Sequence, residues 1–151
     1  MAWERTFAML KPDAVQRGLV GEIMARLESK GFRVAAMKLI QVSPEQAAQH
    51  YAVHEGKPFF GRLVTYIQSS PVVAMVLEAP DAVAQLRRIV GATKPNEAEP
   101  GSIRGDLGLD ISNNLVHASD SLVNAELELS VYFTADEIIS YQRAGDKWLV
   151  E

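Results

Sequence analysis

The stretch Asn114-Leu-Val-His-Ala-Ser-Asp-Ser121 holds a single histidine, His117, at the end of a short apolar run. A neutral imidazole is a good nucleophile near neutrality, because its unperturbed pKa is about 6.5. Ser119 and Asp120 follow at once, and both are favoured at helix N-caps. Leu122, Ala125, Leu129, Tyr132 and Phe133 then recur at helical spacing. This order predicts a strand end or turn that aims His117 at a helix N-terminus. Free N–H groups and the helix dipole favour an anion such as phosphate there. The chemistry suggested is therefore a histidine that meets a phosphoryl group. The alternative is a histidine whose hydrogen bonds are simply satisfied within a loop.

Other groups could hold phosphate. Lys11 stands at the carboxyl end of a nearly all-apolar run, Thr6 to Leu10, which reads as a buried central strand ended by Pro12. Arg87 flanks the apolar stripe of a helix expected over residues 81–90, whereas Arg88 points away from it. Thr93 and Arg104 lie in an irregular stretch, Gly91 to Asp110, whose two prolines and four glycines speak against regular structure. A loop of that length in a compact domain is commonly functional, and it leads straight into Asn114 and His117. No glycine-rich phosphate loop of either familiar kind is present, so any phosphate must be held by side chains and a helix terminus. His50 and His54 are one helical turn apart, the spacing of a metal pair, but no third ligand stands near them in sequence.

The remaining chain supplies the scaffold. Val20, Ile23, Met24 and Leu27 form a helical stripe that Gly31 ends. Phe32 to Val42 reads as a strand, and Arg33 and Lys38 place it at a sheet edge. Ser43-Pro44 opens a short helix. Phe60, Leu63, Val64 and Ile67 form the stripe of the next one. Phe59 lies roughly a quarter turn off that stripe, half exposed, where a base could stack on it. Val72 to Leu77 is a second central strand. The apolar residues of the tail, Trp148, Leu149 and Val150, predict that residues 140–151 dock on the domain or on a neighbouring subunit. The order β-α-β-α-α-β-α-loop-β-α contains a split β-α-β. It predicts one α/β (α+β) domain over residues 1–151, a ferredoxin-like sandwich with a four-stranded, largely antiparallel sheet and helices on one face.

Composition bounds the function. The chain has 151 residues, no cysteine, 48% apolar and 23% charged residues, and a net charge of −4. That excludes disulfides and thiolate chemistry and disfavours general nucleic-acid binding. No apolar run approaches the roughly 20 residues of a membrane span. These features predict a soluble, cytoplasmic protein.

These residues resemble the nucleoside diphosphate kinase family. Asn114-Leu-Val-His117-Ala-Ser-Asp-Ser-Leu122 is similar to its active-site motif. Thr6-Phe-Ala-Met-Leu-Lys-Pro-Asp-Ala-Val, His54-Glu-Gly-Lys-Pro-Phe-Phe60, Gly91-Ala-Thr and Pro100-Gly-Ser-Ile-Arg-Gly-Asp106 match in the same order, over nearly the whole chain. The resemblance implies reversible γ-phosphoryl transfer between nucleotides by a ping-pong route through a phosphohistidine on His117. It implies that Lys11, Arg87, Thr93 and Arg104 hold phosphates, that Asn114 and Lys11 contact the ribose, and that Phe59 and Ile111 sandwich the base with Leu63 beneath. Stacking without edge contacts would accept every base. Tyr51 would sit beside His117, and Glu128 would fix its tautomer; helical phase alone does not separate Glu128 from Glu126. Mg²⁺ would arrive with the nucleotide, with no metal site of the protein's own. The partners implied are nucleoside di- and triphosphates and further copies of the chain, a hexamer rather than a tetramer because of the long tail. The family usually reads Ser-Val-Glu-Ser-Ala where this chain has Ser121-Leu-Val-Asn-Ala125. Two other readings compete with the kinase: a non-catalytic ferredoxin-like nucleotide-binding or regulatory module, and a nucleic-acid-binding domain on the same sandwich.

Overall fold

The computed structural model describes residues 2–151. In chain order they form β1 (Trp3–Leu10), α1 (Pro12–Gln16), α2 (Val20–Lys30), β2 (Arg33–Ile40), α3 (Pro44–His50), α4 (Phe60–Ile67), β3 (Val72–Pro80), α5 (Ala82–Val90), α6 (Ile103–Leu107), β4 (Val116–Ala118) and α7 (Leu122–Tyr132). Short 3₁₀ turns interrupt the connections. The sheet order is β2-β3-β1-β4, and every pairing is antiparallel. This is the four-stranded ferredoxin-like sheet expected, with β2 at an edge.

Local chemistry sets many boundaries. Gly31 ends α2 in the left-handed region, at φ 118°, where a side chain would be strained. Ser43 starts α3 with a capping box: its hydroxyl accepts from the Gln46 N–H, and the Gln46 side chain accepts from the Ser43 N–H. A bulge between Val34 and Ala36 accounts for the broken alternation of β2.

The helices do not keep to one face, as the sequence had suggested. Ala8 and Leu10 of β1 with Val73, Met75 and Leu77 of β3 pack against α1, α2, α5 and α6. Phe7 and Met9 with Ala74 and Val76 pack against α3, α4 and α7. Phe7 to Leu10 are all fully buried. An apolar run of that kind has no solvent-facing side, so both faces must be covered. Two short helices, α1 and α6, lie in stretches expected to be turn and loop. Ser102 caps α6 by accepting from the Gly105 N–H. Similarly, Ser121 caps α7, not Ser119 or Asp120, and Leu122 is half exposed rather than core.

The tail lies along the start of β2. The Tyr141 hydroxyl donates to the Val34 carbonyl, and Arg143 donates to the carbonyls of Gly31 and Phe32. Asp146 pairs with both Arg33 and Arg143. Among the described residues no helix is long and apolar enough to cross a membrane.

Candidate active site

Strand pairing decides where His117 points. It lies opposite Met9 across the β1–β4 ladder, and directly opposed residues share a face. Met9 faces α7, so His117 does too. There its Nε2 lies 2.9 Å from Oε1 of Glu128. The second oxygen of Glu128 accepts from the Ser119 hydroxyl. A carboxylate only accepts, so Nε2 carries the ring proton and Nδ1 carries the lone pair. The structure thereby separates Glu128, half-buried, from Glu126, which is exposed. The hydrogen bond of His117 does not go to the N-terminus of α7, where Ser121 accepts from the Asn124 N–H and Asp120 accepts from the Asn124 side-chain amide. The partner of His117 lies further along the helix.

His50 completes the floor. Its ring stands edge-on to that of His117, at 4.8 Å between centroids and 69° between planes. Its Nδ1 is 2.9 Å from the Tyr132 hydroxyl, and Tyr132 stacks on Phe7. Burial, then the proximity of His117 and Lys11, pushes the His50 pKa well below its ordinary value, so the ring is neutral. The Tyr51 ring meets His50 at 4.7 Å, and burial with the Glu128 charge raises its hydroxyl to about 12. His50 and His54 do not form a metal pair. α3 ends at His50, and His54 sits in a separate turn against Phe59.

The cationic side is tied together by hydrogen bonds. Lys11 leaves the buried end of β1 and donates to Oδ1 of Asn114 at 2.8 Å. Burial, then the Arg104 charge, lowers its pKa to about 8, with Asp13 opposing. The Asn114 amide in turn donates to the Thr93 carbonyl. Arg104 donates to three carbonyls, those of Gly91, Asn114 and Val116. Burial and then Arg87 lower it to about 10. Three of its five donors are thus committed to the fold, leaving two for a ligand. Arg87, at the rim, reaches the Ala118 carbonyl at 3.2 Å.

Between Asn114 and Val116 the backbone of Leu115 is left-handed, with φ 74°. Such strain persists only where the surroundings fix it. Here Asp13 accepts from the Leu115 N–H, and the Lys11 N–H donates to the Leu115 carbonyl. Asp13 is itself held by the Tyr66 hydroxyl.

These groups share a cleft of about 640 Å³. Lys11, Tyr51, Arg87, Thr93, Arg104, Asn114, His117 and Glu128 all line it. Phe59, Leu63 and Ile111 do not. Phe59 and Ile111 are 40% and 47% exposed, and Phe59 reaches the cleft only through its edge contact with His54, 5.2 Å between centroids. Sequence reasoning missed His50 as the neighbour of His117, Asp13 as the brace of Leu115, and Ser119 as the holder of Glu128. Ser119 left a signal, since residues i and i+2 of an extended segment share a face. Asp13 left none.

A family model described as nucleoside diphosphate kinase matches residues 4–138. A nucleoside diphosphate kinase of Archaeoglobus fulgidus is 55% identical over 148 residues, covering 98% of each chain. One of Staphylococcus aureus is 53% identical over 148 residues, 98% of this chain and 99% of the relative. Among solved structures, a halophilic nucleoside diphosphate kinase from Halobacterium salinarum in complex with CDP superposes with a TM-score of 0.95. It is 47% identical, and the match covers 99% of this chain and 100% of that one. A nucleoside diphosphate kinase family protein from Babesia bovis gives 0.94 at 42% identity, with 97% and 99% covered. Matched in sequence and backbone over nearly its whole length, the chain belongs to the nucleoside diphosphate kinase family.

Proposed function

We propose that this protein moves the γ-phosphoryl group of a nucleoside triphosphate to a nucleoside diphosphate by way of His117. The observation that carries the reading is the Nε2–Glu128 hydrogen bond, which leaves Nδ1 as the nucleophile of a ring set in a cleft lined by Lys11, Arg87 and Arg104. The Nδ1 lone pair attacks the γ-phosphorus. The bond to the bridging oxygen breaks, and the diphosphate leaves with those electrons. The proton stays on Nε2, hydrogen-bonded to Glu128, whose charge offsets the positive charge that the imidazole gains. A second nucleoside diphosphate then attacks the phosphohistidine through its terminal oxygen and restores the free ring. Lys11, Arg87, Thr93 and the two spare donors of Arg104 hold the phosphates and neutralise charge as it moves, the main task in phosphoryl transfer.

Asn114 accepts from Lys11 and would orient it, and it would also contact the ribose. Phe59 and Ile111 would stack on the base from outside the cleft, with Leu63 beneath. Mg²⁺ fits as a companion of the nucleotide. The carboxylates lining the cleft are Asp120 and Glu128, too few for the octahedral oxygen shell that Mg²⁺ demands, so the phosphates would hold the ion, which there would offset their charge. For assembly we propose a hexamer. The exposed Met37 and Leu39 on edge strand β2 and the 82% exposed Trp148 in the tail support association. Light scattering that returns a tetramer overturns the hexamer.

The test of the reaction is direct. Incubate the protein with γ-labelled ATP and Mg²⁺, denature in alkali, and chase with GDP. Alkali-stable, acid-labile label that is absent from His117→Ala and moves to GDP is expected. An unlabelled wild type contradicts the reading and leaves a nucleotide-binding module.

A further inference from the structure

The floor of the cleft gathers three potential metal ligands from three elements. A ring nitrogen of His50, a ring nitrogen of His117 and a carboxylate oxygen of Glu128 all lie within 4.8 Å of one another. We propose that these residues form a site for a borderline-soft divalent cation, Zn²⁺ in particular, whose binding switches the phosphotransferase off.

The donor set fits that ion. Two imidazoles and one carboxylate make a zinc set with a fourth position open to the cleft. Ligands about 2.0–2.2 Å from a tetrahedral ion are about 3.4 Å apart. That spacing lies between the 2.9 Å of the His117–Glu128 contact and the 4.8 Å span of the cluster, so small side-chain shifts suffice. The outer shell is also present. Ligating histidines commonly bind a second group through their other nitrogen, and ligating carboxylates are themselves hydrogen-bonded. Tyr132 holds Nδ1 of His50, leaving its Nε2 for the ion. Ser119 holds the far oxygen of Glu128. Both outer partners are inward-facing groups that the phosphotransfer steps do not themselves use.

Mg²⁺ does not compete for this site. It demands oxygen ligands in octahedral geometry, whereas imidazole suits zinc and its neighbours. The cations of the cleft limit affinity: Lys11, Arg87 and Arg104 line the same cavity, and Glu128 is the ion's one anionic ligand. A bound ion disables His117 through either nitrogen. At Nδ1 it takes the nucleophilic lone pair. At Nε2 it drives the ring proton over to Nδ1, which then has no lone pair for the attack.

The experiment is equilibrium dialysis of the full chain against Zn²⁺ without nucleotide. One ion per chain is expected, not displaced by excess Mg²⁺. His50→Gln and Glu128→Gln should each weaken binding at least about tenfold, and His54→Gln should not change it. Near-ultraviolet circular dichroism checks that each variant is folded; if His50→Gln fails to fold, Glu128→Gln alone decides. In wild type, the phosphoenzyme formed from γ-labelled ATP should fall in proportion to bound Zn²⁺ and return on chelation. Absence of a stoichiometric ion, affinity that tracks His54, or a phosphoenzyme yield indifferent to bound Zn²⁺ overturns the proposal. The ion is read directly, so a wild type that makes no phosphoenzyme even without zinc would sink the kinase reading while the binding result still stands.

Discussion

The two ends of the cleft are built in opposite ways. At the end proposed for the phosphates, Lys11, Asn114, Thr93 and Arg104 are bonded to one another or to the backbone. The strained Leu115 beside them is held from both sides by Asp13 and Lys11. At the end proposed for the base, Phe59 and Ile111 are partly exposed and make no hydrogen bond through their side chains. On the roles proposed for the two ends, the contrast would let one enzyme be strict about phosphate and indifferent to base. A preorganised donor set pays its ordering cost on folding, not on binding. A loose apolar flank offers area without direction.

Removing the proposed nucleophile should give the largest effect. His117→Ala should reduce phosphotransfer to background while the melting temperature stays near that of wild type, as steady-state kinetics and a thermal scan would report. Breaking the rigid end should cost stability as well as activity. A Cβ on Gly105 would lie 2.0 Å from the Glu99 carbonyl oxygen. That neighbour is backbone, so Gly105→Ala should lose about 3 kcal/mol or more in urea unfolding. An effect under about 0.5 kcal/mol would mean that the segment around α6 yields easily.

Next comes Glu128→Gln. It keeps the shape but removes a charged hydrogen bond worth about 1.5–3 kcal/mol, which corresponds to a fall of roughly 10- to 150-fold in phosphoenzyme formation. At the loose end, Phe59→Ala should raise KM by the equivalent of about 1–3 kcal/mol. The increase should be similar for adenine, guanine and cytosine nucleotides, with unfolding unchanged. A change confined to one base would show directional recognition and erase the contrast.

The most gradual effect is pH. Lys11 is held at about 8, below its ordinary value of 10.5, so it is charged below that point and neutral above it. Activity of the free enzyme should therefore decline as pH rises through about 8, seen in kcat/KM. Stability runs the other way. Between about 8 and 10.5 the unfolded chain binds a proton that the folded chain has released, so the cost of burying Lys11 is relieved as pH rises.

What the sequence disclosed follows from what is local. Apolar runs placed β1 and β3, Gly31 and Ser43 placed helix ends, and the Asn114–Ser121 stretch drew attention to the histidine that we propose as the nucleophile. What it concealed depends on pairing across the chain. The covering of both sheet faces follows from the unbroken burial of Phe7 to Leu10, yet the helices that supply the second layer come from distant segments. Ser119 reads as a cap because its residue type is common there. Only the return of α7 across the sheet shows it holding Glu128. The same return selects Glu128 over Glu126, one helical face over its neighbour. Arg104 was legible as a cation but not as a staple of three carbonyls, because α6 is framed by Pro100, Gly101, Gly105 and Gly108 and looks irregular.

In the proposed reaction Glu128 holds Nε2 so that Nδ1 does the chemistry. The position of the phosphoryl group on the ring tests it most directly. Trap the phosphoenzyme at alkaline pH and assign the isomer by phosphorus–nitrogen coupling in protein labelled with ¹⁵N at histidine. Phosphorus on Nδ1 of His117 is the predicted result; phosphorus on Nε2, or on any other residue, contradicts the account.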